Sequence, residues 1–208
     1  SKDTIMESIK ELKQSKIIKN LFVALIGTVL LAISSKIKIP FYPVPMTMQT
    51  LVVLLLGITL GWKLGVATVA LYLFEGIIGL PVFSGTPEKG IGIVYFTGPT
   101  MGYLVGFLFT VYFAGKFRYN TIDLASLLKN YAVATNFVKN FLKLIIAISF
   151  IYIFGILWLG ALIGWEKPFF TSPLFQLGVK PFLFAELFKI LIVLFSLSQL
   201  KKINQYLQ

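Results

Sequence analysis

The sequence predicts a small all-helical integral membrane protein in which six transmembrane helices form one bundle. The chain has 208 residues, of which 57% are hydrophobic and only 13% are charged, and its mean hydropathy is +0.87. A soluble domain carries about 25% charged residues, so this chain cannot cover a globule with polar surface. Long uncharged runs recur along it, and roughly 20 apolar residues suffice to cross a bilayer as a helix.

The predicted spans are delimited by charges, prolines and glycines. A mixed-charge segment, residues 1–19, comes first, and it lacks the short apolar core of a cleavable signal peptide. It is followed by one membrane domain, residues 20–202, and a tail, residues 203–208. Within the membrane domain the spans are predicted at 20–35, 46–61, 64–78, 98–115, 141–164 and 181–200.

Each boundary has a chemical reason. Lys36 and Lys38 end span 1, and three prolines between Ile39 and Pro45 exclude helix interior there, because proline removes a backbone donor. Gly61-Trp62-Lys63 predicts a tight turn between spans 2 and 3, and Gly79-Leu80-Pro81 ends span 3. A glycine-rich loop over 83–97 then precedes Pro99, which is suited to a first helical turn. The polar segment 116–140 and the aromatic loop 165–180 flank span 5, and Lys201 with Lys202 stops span 6.

The charge distribution predicts that both termini lie inside the cell, in the plasma membrane. In that orientation 13 of the 19 basic residues fall on inner segments and five on outer ones, with Lys189 left in the membrane. Inner loops of membrane proteins carry the excess of lysine and arginine. The same rule accounts for the net charge of +11 better than nucleic-acid binding does.

Composition excludes much chemistry. The chain has no Cys and no His, which excludes thiolate nucleophiles, Cys/His zinc sites and His-based acid–base catalysis. We expect no metal site and no cofactor. No glycine-rich loop ends in Lys-Ser or Lys-Thr, so any ATP hydrolysis must come from another polypeptide.

The sharpest chemical signal is an acid–base pair inside span 6. Glu186 and Lys189 are three residues apart and share one helix face. A charge at the bilayer centre costs at least about 2.5–3.5 kcal/mol on insertion scales. Such a pair either holds the bundle together or faces a ligand cavity. Glu75, near the outer end of span 3, either has a functional role or only faces the loop pocket or caps Lys36 or Lys38.

Span 1 carries small residues four positions apart, at Ala24, Thr28 and Ala32. Small residues at this spacing let membrane helices approach closely. The predicted use is docking of another membrane subunit, and the alternative is packing inside this bundle.

Four motifs, in this order, resemble one family. They are Pro43–Leu51, Leu71–Phe83, Gly98–Phe107 and Gly178–Phe182, the last followed by the Glu186/Lys189 pair. Together they resemble the BioY family, the biotin-specific S components of energy-coupling factor (ECF) transporters. The resemblance implies a six-helix bundle that captures extracellular biotin, with a transmembrane coupling protein and ATPase subunits as partners. The family usually has Gly-Asp where this chain has Ala185-Glu186.

Biotin has a polar ureido ring, an apolar thioether ring and a carboxylate, so it needs apolar walls and a few polar contacts. Glu186 is expected to accept from the ureido N–H, and Lys189 to donate to the ureido oxygen or to stabilise Glu186. Further polar contacts are predicted at Gln49, Ser84, Tyr95, Thr100 and Tyr103, with Phe83 and Phe96 as walls.

Three alternatives stay open from the residues. One is an intramembrane acid–base enzyme using Glu186, Glu75 and Lys189, against which the lack of His and Cys argues. Another is an assembly subunit that binds no small molecule. The third is an S component for a different small vitamin.

Overall fold

The computed structural model describes residues 1–39 and 46–208, and the predicted proline connector falls mainly outside this part. The described residues are mostly helical, with one short antiparallel ladder that pairs Lys38 with Thr47 and Ile39 with Met46. The elements are α1 (Lys2–Lys36), β1 (Lys38–Ile39), β2 (Met46–Thr47), α2 (Gln49–Ile77), α3 (Ile93–Phe96), α4 (Met101–Lys116), α5 (Tyr131–Ile163), α6 (Pro173–Gly178), α7 (Leu183–Phe195) and α8 (Leu197–Leu207).

Helix α2 is a hairpin of two arms, residues 49–60 and 62–77. Its turn is at Gly61, whose φ of +80° suits glycine because it has no Cβ. Gln49 Nε2 donates to Tyr72 Oη at 2.7 Å, although 23 residues of straight helix would separate the two by roughly 35 Å. The chain therefore reverses at the predicted turn, and the two arms are predicted spans 2 and 3.

By length and composition, three helices of the described chain can cross a membrane alone: α1, α2 and α5. Helices α6–α7 and α8 form a fourth candidate that is bent by 65°, and α4 is a shorter apolar helix. Because α2 reverses, the segments α1, both arms of α2, α4, α5 and α7 give the predicted six-helix bundle.

Two span boundaries were wrong in position. Helix α5 begins at Tyr131 rather than at 141, because Asn130 Oδ1 caps it by accepting from Ala132 N at 2.9 Å. Span 6 does not run straight from 181 to 200: α7 begins at Leu183, and the chain bends after Ser196. Helix α8 carries Lys201 and Lys202 and turns to pack on α2, where Asn204 Nδ2 donates to Thr59 O at 2.9 Å.

Glycines let α4 pack closely between α2 and α5. A Cβ added at Gly102 would lie 2.2 Å from Phe154 O, and one at Gly106 would lie 2.5 Å from Ile151 Cα. On the other side, a Cβ at Gly115 would lie 2.5 Å from Trp62 N. These contacts are with backbone, so the helix axes must separate if a side chain is added.

The two ends of the bundle are marked by lysines of α1. Lys19 Nζ donates to Leu207 O at 3.0 Å, which places the last helix at the same end as residue 19. Lys36 Nζ donates to Phe83 O at 2.7 Å, at the other end. These lysines are 17 residues apart, or about 25 Å of helix, which is close to the hydrocarbon thickness of a bilayer.

The small-residue stripe of α1 packs inside this chain. Ala24 is 6% exposed and Thr28 is 2% exposed, and Ala32 packs on the core. A Cβ at the neighbouring Gly27 would lie 2.5 Å from Thr68 Cγ2 of α2. This burial favours packing against α2, and docking of another subunit by Ala24, Thr28 and Ala32 stays a prediction.

Replacing Ala24 by tryptophan is therefore expected to destabilise the isolated protein. The indole cannot fit against α2, and overpacking a core commonly costs about 1–3 kcal/mol. Leu25→Trp is the control, because the neighbouring Leu25 is 46% exposed. Thermal unfolding of both purified variants in detergent measures the difference. If Ala24→Trp unfolds like the unmodified protein but stops uptake, the docking prediction is supported.

Candidate functional site

Glu186 and Lys189 lie one turn apart on α7 and are both enclosed. Glu186 is 6% exposed and Lys189 3%. Lys189 Nζ is 3.3 Å from Glu186 Oε1, which is the one ion pair among the described residues. A buried pair is tolerated when further hydrogen bonds satisfy its remaining protons and lone pairs.

The start of α2 supplies those bonds. Lys189 Nζ donates to Thr47 O at 2.8 Å and to Thr50 Oγ1 at 2.8 Å. With Glu186, these acceptors use all three ammonium protons. Thr50 Oγ1 donates to the Glu186 carboxylate, with 2.9 Å to Oε1 and 3.1 Å to Oε2. Thr50 thus joins the two charged groups to α2.

Helix α5 completes the cluster through Tyr152, whose hydroxyl donates to Glu186 Oε1 at 2.7 Å. The cluster of Thr47, Thr50, Tyr152, Glu186 and Lys189 is called the polar cluster below. It ties α2, α5 and α7 together inside the bundle.

An apolar cavity of about 650 Å³ opens beside the polar cluster, between α5 and α7. Glu186 and Tyr152 line it, together with Ser149 and apolar side chains such as Ile148 and Ile190. Lys189 does not line it. A ligand in this cavity would therefore meet the carboxylate and the phenol, and Lys189 would act through Glu186.

The predicted residues of the glycine-rich loop over 83–97 form a second group next to the polar cluster. Phe83 is buried, stacks on Tyr95 at 4.9 Å and meets Phe96 edge-on at 5.3 Å. Tyr95 Oη donates to Ser84 O at 2.8 Å. Burial raises the pKa of the Tyr95 phenol, so it stays a neutral donor.

This loop is fastened to α1 and α2 through its backbone carbonyls. Lys36 Nζ donates to Phe83 O and to Thr86 O, both at 2.7 Å. Tyr72 Oη donates to Val82 O at 2.7 Å and accepts from Gln49 Nε2. Gln49 also donates to Leu31 O at 3.2 Å, which uses both protons of its amide nitrogen.

Gln49 and Thr50 connect the two groups, because they are adjacent at the start of α2. Tyr103 is close to the polar cluster: its ring meets Tyr152 edge-on at 6.0 Å, and its hydroxyl donates to Gly178 O at 2.8 Å. Thr100 is half-buried and precedes α4, where its carbonyl accepts from Leu104 N. No contact of Thr100 with the polar cluster is found among the described residues.

Five residues of these groups were missed from the sequence. Thr47 contributes only its backbone carbonyl. Thr50 follows Gln49 directly, so its position in the first motif was the available signal. Tyr152 comes from α5, where the resemblance was weak. Tyr72 and Lys36 donate to backbone carbonyls of the loop, and such bonds leave no pattern in a sequence.

Glu75 belongs to neither group. Its Oε1 atom is buried and has no hydrogen-bond partner within the described chain.

Comparison with known proteins gives a consistent result. The profile of the BioY family matches residues 6–206. The biotin transporter BioY2 of Lactococcus lactis is 34% identical over 188 residues, covering 86% of this chain and 88% of that protein. The biotin transporter BioY of Rhizobium etli is 34% identical over 161 residues, covering 76% and 81%.

The fold agrees with a solved structure. The crystal structure at 2.1 Å of the S-component for biotin from an ECF-type ABC transporter superposes with a TM-score of 0.62, at 25% identity. The match covers 90% of this chain and 93% of that one. These relatives are transporters, so the prediction that the chain is no enzyme is confirmed. With its profile match and its relatives extending over most of its length, this chain belongs to the BioY family.

Proposed function

We propose that this chain is the biotin-binding membrane subunit of a vitamin uptake system. The observation that carries the proposal is the buried polar cluster beside an apolar cavity of about 650 Å³, within a fold shared with a biotin S-component. Biotin suits such a site because its ureido ring needs a few polar partners and its other parts need apolar walls.

The roles of the charged pair differ in this proposal. Glu186 lines the cavity and accepts from a ureido N–H. Lys189 is a positioning residue, because its three protons are already used within the protein and it does not line the cavity. The sequence prediction gave Lys189 two possible roles, as a direct donor to the ureido oxygen or as a stabiliser of Glu186. The proposal keeps only the second.

The glycine-rich loop over 83–97, which this proposal places on the outer face, does not line the cavity. In this proposal it encloses the site from the side of the polar cluster, to which Gln49 and Thr50 connect it. Phe83, Ser84 and Tyr95 form a wall within this loop. Lys36 and Tyr72 fix the loop by donating hydrogen bonds to its backbone carbonyls. Gln49 positions Tyr72, and Tyr103 supports Tyr152. Thr100 is retained as a predicted polar contact at the start of α4.

Equilibrium titration of the purified full-length chain with labelled biotin, without ATPase subunits, tests the function. Saturable binding with one site per chain supports it. Competition with unlabelled riboflavin and thiamine separates biotin from another small vitamin, which is the second candidate. Binding of neither biotin nor another vitamin would leave an assembly role.

The partners and the orientation belong to the same proposal. A transmembrane coupling protein and ATPase subunits would energise release, since the chain has no phosphate-binding loop of its own. Residues 1–19 and 203–208 would lie in the cytoplasm, and the membrane domain 20–202 would span the plasma membrane, because the basic residues concentrate at the end of the bundle that carries Lys19 and Leu207.

Cysteine labelling in intact cells is expected to show this orientation. The chain has no cysteine of its own. A membrane-impermeant thiol reagent should label Glu88→Cys, in the exposed outer loop, and should label Tyr206→Cys only after the cells are opened. Tyr206 is 86% exposed, so protection from the reagent would come from the membrane. Labelling of Tyr206→Cys alone in intact cells would reverse the orientation.

A further inference from the structure

A second cavity lies at the opposite end of the bundle from the outer loop. Its volume is about 370 Å³, and it is bounded by the α2 turn, the end of α4 and α8. Apolar walls come from Ile58, Ala114 and Phe117, and polar or charged groups from Trp62, Arg118 and Lys201. It is called the basic cavity below.

Several cations converge on this cavity. Lys143 Nζ and Lys201 Nζ donate to the carbonyls of two consecutive residues, Arg118 O and Tyr119 O. The ammonium groups of Lys143 and Lys201 therefore lie at the backbone of residues 118 and 119, and the Arg118 side chain starts from the same place. Desolvation and the neighbouring Lys143 lower the pKa of Lys201, as expected for an ammonium close to another cation.

The backbone beneath these cations is fixed by α5 and α4. Asn140, which is buried, accepts from Asn120 N and donates to Asn120 O, both at 3.0 Å. Tyr119 Oη donates to Ala114 O at 2.7 Å. The convergence of charge is thus part of the packed structure and is not an accident of flexible surface lysines.

Among the described residues, no acidic side chain forms an ion pair with these cations. Within that part of the chain, the single ion pair is Glu186–Lys189, in α7. Asp123 is the acidic residue nearest in sequence, and its carboxylate is bound to Ala125 N and Ser126 Oγ. Two more lysines lie beside the cavity's Trp62, with Lys63 Nζ 5.6 Å and Lys116 Nζ 5.2 Å from its ring centroid.

We propose that the basic cavity binds the phosphate headgroup of an anionic phospholipid from the leaflet at this end of the bundle. Basic pockets between transmembrane helices bind anionic headgroups, and tryptophan is enriched at the level of the headgroups. The apolar wall of Ile58, Ala114 and Phe117 favours a lipid over a free phosphate, because it offers a surface to the first part of an acyl chain.

The test compares lipids that differ only in their headgroup. The detergent-purified full-length chain is loaded with phosphatidylglycerol or phosphatidylcholine of identical acyl chains, and retained lipid is counted by native mass spectrometry. We expect a preference for phosphatidylglycerol of about tenfold. Arg118→Gln should lower it about fivefold, the effect of one cation near an anionic surface.

The control is Lys129→Gln, which removes an exposed cation from the same connection without touching the cavity, and it should leave the preference unchanged. The Arg118 guanidinium makes no hydrogen bond within the described chain, so the Arg118→Gln protein should fold. If the Arg118→Gln protein does not fold, the comparison is made with Lys201→Gln. Equal retention of the two lipids, or equal losses in Arg118→Gln and Lys129→Gln, overturns the proposal.

Two further arms identify the source of the phosphate group. If excess inorganic phosphate displaces phosphatidylglycerol, the site takes a soluble anion and the lipid assignment is wrong. If there is no headgroup preference, but Arg118→Gln weakens co-purification of the coupling protein, the patch contacts an acidic protein and the lipid proposal fails. None of these outcomes depends on biotin binding.

Discussion

Replacing Lys189 by alanine is expected to raise the dissociation constant for biotin more than a hundredfold. Lys189 holds Thr47 O, Thr50 Oγ1 and Glu186 in place. Without Lys189, Glu186 and Thr50 are no longer held in place for the ligand, and a loss of about 3 kcal/mol of binding free energy corresponds to more than a hundredfold in affinity. Equilibrium titration of monodisperse protein measures it.

Variants of Glu186 show whether the carboxylate itself meets the ligand. Glu186→Gln should weaken binding less than Lys189→Ala, because an amide oxygen still accepts from a ureido N–H. Glu186→Asp should be tolerated if the family's usual Asp does the same work from this position. Lys167→Ala, in the exposed loop between α5 and α6, is the control for loss of a positive charge. Near-unchanged affinity in Lys189→Ala would mean that the pair only holds the helices together.

Replacing Gly106 by alanine is expected to destabilise the bundle by about 3 kcal/mol, at the upper end of the usual cost of overpacking. The new Cβ would lie 2.5 Å from Ile151 Cα and 2.8 Å from Phe150 O. Both atoms belong to the α5 backbone, so α4 and α5 must move apart. Tyr152 follows Ile151 directly, and biotin affinity should fall together with the melting temperature.

Gly65→Ala is the matched control, because both changes bring the same gain in helix propensity of roughly 1 kcal/mol. At Gly65 the added Cβ meets the end of a side chain, Val111 Cγ2, at 3.0 Å. Val111 is buried and β-branched, so its methyl can give by only a few tenths of an ångström, and Gly65→Ala should lose less stability than Gly106→Ala. Equal melting temperatures for the two variants would contradict the packing argument.

The sequence alone determined the class of the protein, the six apolar segments and the family. Hydrophobic length, prolines and charges act locally, which is why the turn at Gly61 was predicted and found. The sequence also identified Glu186 and Lys189, because two charged residues within an apolar run stand out in any membrane helix. The motif order carried the resemblance, and the profile and relatives agree with it.

Only the tertiary structure decided which residues surround the pair. Thr50 lies 136 residues from Glu186 in sequence and Tyr152 lies 34 residues from it, yet both bind its carboxylate. Spacing along one helix cannot reveal partners on other helices. The sequence also left open which way the small-residue stripe of α1 faces. Ala24 and Thr28 are spaced for close packing, but the helix that they approach depends on the rotation of α1 about its axis. In the structure both are buried, on the side of α1 that faces α2.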